Sequence, residues 1–80
     1  MNIYTIDSSV KIQLDNGIII YHLKGKGGFH FHRIDGPAYQ ENDNLGWYID
    51  DKFYTFEEFC TIVRTHLTDE AYFTMILTYS

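Results

Sequence analysis

The sequence predicts an α+β domain, an antiparallel sheet of about five to six short strands laid out as a meander of hairpins, with one or two C-terminal helices packed on it. Three observations predict it. Asn16-Gly17 sits between two β-rich segments, turn residues recur every few positions as far as Tyr54, and helix-start patterns follow at Thr55 and Thr68. With 80 residues, the chain (1–80) makes a single domain, because roughly 60 to 65% burial of its extended surface cannot support two cores.

Val10-Lys11-Ile12-Gln13-Leu14-Asp15 and Ile18-Ile19-Ile20-Tyr21-His22-Leu23 form the first hairpin around Asn16-Gly17, whose residues tolerate the positive φ of a type I′ turn. In that register Leu14 faces Ile19, Ile12 faces Tyr21 and Val10 faces Leu23, giving one apolar surface and leaving Ile18 and Ile20 without an explanation. Gly25-Lys26-Gly27-Gly28 lacks the strand-to-helix context of a phosphate loop and reads as a connector. Phe29-His30-Phe31-His32 alternates with strand period, so Phe29 and Phe31 are expected to point inward.

Asp35-Gly36-Pro37 breaks that strand, since Asp bonds nearby backbone amides, Gly widens the accessible φ and Pro fixes the exit. An extended course resumes at Ala38-Tyr39-Gln40-Glu41, turns at Asn42-Asp43-Asn44, and continues as a hairpin from Gly46-Trp47-Tyr48-Ile49 to Phe53-Tyr54 around Asp50-Asp51-Lys52. Thr55 and Glu58 compose a capping box, and Phe56, Phe59, Cys60, Val63 and Leu67 share one helical face. Thr68-Asp69-Glu70 opens a second helix with Tyr72, Met75, Ile76 and Tyr79 on one side and Phe73 and Leu77 beside them. The β-rich end Ile76-Leu77-Thr78-Tyr79 leaves a final strand as the alternative.

Composition narrows the function. A net charge of −5, from eleven acidic and six basic side chains spread along the chain, offers no basic stripe for a phosphate backbone, so no direct nucleic-acid partner is expected. The single cysteine excludes an internal disulfide and favours a reducing cytoplasm. No apolar run reaches membrane-spanning length and no signal-peptide layout is present, so no membrane partner is expected either.

His30 and His32 leave the same strand face and, with His22 or Asp35, are the residues from which a metal-dependent enzyme would be built. Two imidazoles without a clear third ligand more simply read as one structural histidine bonded to a turn and one polar-face histidine. Cys60 falls in the helix stripe, where a thiol acts as a small hydrophobe rather than a nucleophile. Asp50, Asp51, Glu57 and Glu58 read as a solvated turn plus a capping box, with a metal-binding or DNA-mimicking patch as the rival. The aromatic residues exceed what so small a core encloses, and exposed rings beside acidic residues suit a protein contact.

His32-Arg33-Ile34-Asp35-Gly36-Pro37-Ala38, then Trp47-Tyr48-Ile49-Asp50-Asp51-Lys52, then Thr55-Phe56-Glu57-Glu58-Phe59 together resemble a MORN-like repeat unit of small tailed-bacteriophage proteins. That family's pattern is His-Arg-x-Asp-Gly-Pro-Ala followed by a Trp-Tyr-x-Asn-Gly-Lys hairpin. Here a single copy is present, and Asp51 stands where glycine is usual. The resemblance implies a non-enzymatic phage accessory protein, without a cofactor, that works in the cytoplasm of the host bacterium. It implies binding and inhibition of a host protein, antiviral-defence components being one class of target. The residues expected to make the contact are Trp47, Tyr48, Asp50, Asp51, Lys52 and Tyr54, carried on a hairpin tip. The alternative is a self-assembling scaffold that pairs through Ile18, Ile20 and open sheet edges, and either a monomer or a homodimer is compatible with the sequence.

Overall fold

The computed structural model describes residues 4–28 and 30–79, so the expectation for Phe29 lies outside the described residues. A 3-10 turn at Ile6–Ser8 leads into a five-stranded antiparallel meander, β1 (Ser9–Gln13), β2 (Ile19–Leu23), β3 (Tyr39–Glu41), β4 (Asn44–Ile49) and β5 (Lys52–Tyr54), ordered in space as in sequence. Two helices follow, α1 (Phe56–Val63) and α2 (Asp69–Tyr79). The C-terminal segment is therefore helix, not strand.

The first hairpin forms, but one residue out of the expected register: Ile12 lies opposite Ile20 and Lys11 opposite Tyr21. The loop holds a third residue, because Gly17 takes φ +84° and its N–H returns to the Leu14 carbonyl at 3.1 Å, while the Leu14 N–H reaches the Ile18 carbonyl at 2.8 Å. That is a type I turn closed by a glycine bulge, which Asp15-Asn16-Gly17 accommodates as readily as Asn16-Gly17 fits a type I′ turn. The shift moves every β2 side chain to the other face. Val10, Ile12 and Leu14 consequently share a surface with Ile18 and Ile20, and Ile20 is buried.

Between β2 and β4 the sheet is filled by two separate segments. β3 pairs with both strands at one end, and at the other end residues 30–33 take its place: the His32 N–H donates to the Tyr21 carbonyl (2.9 Å) and the Arg33 N–H to the Tyr48 carbonyl (3.1 Å). The intervening Ile34-Asp35-Gly36-Pro37 leaves the sheet plane and carries Ile34 into the core.

That core lies on one sheet face, where Ile34, Trp47 and Ile49 meet Phe59, Cys60, Val63, Leu67 and Met75. Thr55 caps α1 as expected, its hydroxyl accepting from the Glu58 N–H while the Glu58 carboxylate accepts from the Thr55 N–H. Thr68 caps α2 through the Ala71 N–H (3.1 Å). The opposite sheet face carries an aromatic row in which Phe31 touches Tyr39 and Tyr48, and Tyr48 touches Phe53. Phe31 thus points away from the helices and is half-buried. The inward positions of its segment belong to His32 and Ile34.

Candidate protein-binding site

The β4–β5 hairpin closes on two residues, Asp50 and Asp51, with Lys52 already paired to Ile49 in β5. Both loop residues are left-handed, φ +51° and +68°, the geometry of a type I′ turn. Non-glycine residues hold that conformation at a cost of about 1 to 2 kcal/mol each, so it persists only where surrounding contacts over-determine it.

Those contacts come from residues 30–32. The Asp50 N–H donates to His32 Nδ1 at 2.9 Å, the Asp51 N–H donates to the Phe31 carbonyl at 2.7 Å, and Asp51 Oδ1 accepts from the Phe31 N–H at 3.3 Å. Asp50 Oδ1 lies 2.6 Å from His30 Nε2. The His30 ring beside Asp50 holds that carboxyl below its ordinary value, with a hydrogen bond from Tyr4 acting in the same direction. His32 is completely buried, against the Tyr4 ring at 4.4 Å. Burial holds its imidazole below the ordinary value of 6.5; Asp50 opposes that shift, and His30 and His66 add to it. With Nδ1 occupied as an acceptor, the ring is the neutral tautomer protonated on Nε2.

Arg33 braces the same segment from below. Its Nε bonds Asp35 at 2.8 Å, its Nη1 reaches the Pro37 carbonyl at 3.2 Å, and its guanidinium lies 4.0 Å from the centre of the Tyr21 ring. A Cβ at Gly36 would stand 2.6 Å from the guanidinium carbon, so a side chain there would force the guanidinium to move.

The residues expected to make contact divide between the two faces of the hairpin. Trp47, expected on the contact surface, is instead 6% exposed and packs against Phe56, Phe59 and Tyr79. Tyr54 shares its face and is half-buried; Tyr48 is half-buried on the other face; Asp50, Asp51 and Lys52 are exposed at the tip. Phe53, 58% exposed and packed edge-on against Tyr48, joins them and was missed. Strand alternation carries the signal: once Trp47 belongs to the helix-covered face, its partner Tyr54 does too, and Phe53 must face outward.

Chemistry is less well served. His22 shares the Phe31 face whereas His30 and His32 alternate to the other, and Asp35 is engaged by Arg33, so the ligands of the rival metal reading do not converge. Among the described residues no three His, Cys, Asp or Glu side chains are grouped to hold a metal ion. Cys60 is buried and its thiol is pushed up by desolvation. A shallow cleft of about 380 Å³ lies between the Arg33–Asp35 turn and α2, lined by Thr68, Thr74 and Thr78. No helix among the described residues is long and apolar enough to cross a membrane. No family model, curated protein or solved structure matches the chain.

Proposed function

We propose that the protein is a non-enzymatic binding module that engages a partner protein through the β4–β5 tip, with Asp50, Asp51, Lys52 and Phe53 in contact and Tyr48 and Tyr54 flanking them. The observation that carries this reading is the left-handed Asp50-Asp51 turn, fastened to residues 30–32 by four hydrogen bonds. Strain held in place by so many partners pre-organises a loop, and a pre-organised loop loses little entropy on binding. Phe53 supplies exposed aromatic area at its edge, the kind of side chain that anchors an interface. The resemblance to the phage repeat unit supports a host bacterial protein as the partner and inhibition as the outcome, with a defence component as one class of target.

The test is recovery of partners from a bacterial lysate on immobilised wild-type protein and on Phe53→Ser. The reading expects one protein bound in stoichiometric amount by the wild type and lost with Phe53→Ser. Equal recovery by both would remove the tip from the interface.

A further inference from the structure

The sheet ends on β1, and the pattern of its hydrogen bonds decides which groups face out. Leu14 N–H bonds the Ile18 carbonyl and Lys24 N–H bonds the Ser8 carbonyl, so the even-numbered residues of β1 are those bonded to β2. In an antiparallel ladder the alternate residues turn their N–H and C=O the other way. Ser9, Lys11 and Gln13 therefore direct three donor and acceptor pairs away from the sheet. On the surface opposite the helices, Val10 (37% exposed), Ile12 and Leu14 (36%) form an apolar row along that same edge.

We propose that β1 pairs antiparallel with β1 of a second copy of this chain, about a two-fold axis between the two Ile12 residues. Register selects the occupant. Centring on Lys11 would set two ammonium groups directly opposite, centring on Val10 sets Ile12 against Ser8, and centring on Gln13 pairs Ile12 with Leu14 and Lys11 with Asp15 but leaves Val10 facing Asn16 of the turn. Centring on Ile12 alone sets Ile12 against Ile12 and Val10 against Leu14 in both directions. It also sets Lys11 against Gln13, with Asp15 of the second copy next along that face. A self-complementary edge is what a two-fold interface requires. This goes beyond the binding role of the tip, because β5 is the far edge of the sheet: the dimer is a continuous ten-stranded sheet that carries its two tips at opposite ends.

Light scattering across a concentration series, together with air oxidation of Ile12→Cys, tests the proposal. In this register the two introduced thiols occupy a non-hydrogen-bonded pair with Cα atoms about 4.5 Å apart, within disulfide reach. The wild type is expected to dimerise with concentration, and Ile12→Cys to convert to a covalent dimer while Val10→Cys does not. Gln13→Pro removes only an outward N–H, so it leaves the monomer fold intact by circular dichroism and weakens dimerisation at least tenfold. A wild type that stays monomeric throughout, a Gln13→Pro variant that dimerises as the wild type does, or equal cross-linking of Val10→Cys would each overturn it. None of these readouts depends on the lysate partner, so the two readings fail separately.

Discussion

His32 holds the tip through a single acceptor atom, which makes its protonation state a structural variable. A folded-state value below the ordinary 6.5 means that, as pH falls through 6.5, the unfolded imidazole takes up a proton that the buried one refuses, and stability declines. Asp50, held below its ordinary 3.8, contributes stability that is complete above that value and is lost only as pH falls through the lower folded value. Denaturant unfolding should therefore show a loss of stability between about pH 7 and about pH 5 that His32→Asn, which keeps an acceptor and cannot titrate, removes. Gly36 acts by lacking a side chain. Gly36→Ala presses a methyl group onto a guanidinium already fixed by Asp35, Pro37 and Tyr21, and is expected to cost about 1 to 3 kcal/mol in the same measurement.

The strained turn is the element whose sequence departs from its backbone optimum. Asp51→Gly removes the left-handed penalty at φ +68° but also the carboxylate's bond to the Phe31 N–H, and it loosens the unfolded chain, so the opposing effects are expected to leave stability within about 1 kcal/mol of the wild type by denaturation midpoint. α2 shows the converse, apolar residues left outside the core: Phe73 is 54% exposed, with Tyr72 and Arg64 against its ring, and Leu77 is 83% exposed, so Leu77→Gln should shift stability by less than about 0.5 kcal/mol. The helices were legible because each carries its own start signal, Thr55 with Glu58 and Thr68, which fixes phase as well as position. The first hairpin was legible in kind but not in register, since Gly17 serves a two-residue and a three-residue loop equally and only the burial of Ile20 against its neighbours separates them. Phe31 departed from its expected inward position for a different reason. Hydropathy favours Phe inside, but the buried side needed a hydrogen-bond acceptor for the Asp50 N–H, and only His32 provides it.

At the scale of the molecule, segments 32–38 and 47–52, separate in the sequence, are one assembly in space. His32 and Arg33 sit between β2 and β4, Ile34 anchors the excursion in the core beneath the helices, and the β4–β5 turn is tied to the same residues. A structural histidine bonded to a turn was legible, but not which turn it holds, because residues 18 and more positions apart meet only when the sheet has formed. That long-range connection explains how a sheet of short strands with a small core presents a loop of fixed shape. Native-state hydrogen exchange at the Asp50 and Asp51 amides tests that claim most directly, since both lie at an exposed hairpin tip where an untied turn would exchange freely. Protection close to that of the β4 amides is the expected result; exchange as fast as that of the Gly25–Gly28 connector would contradict it.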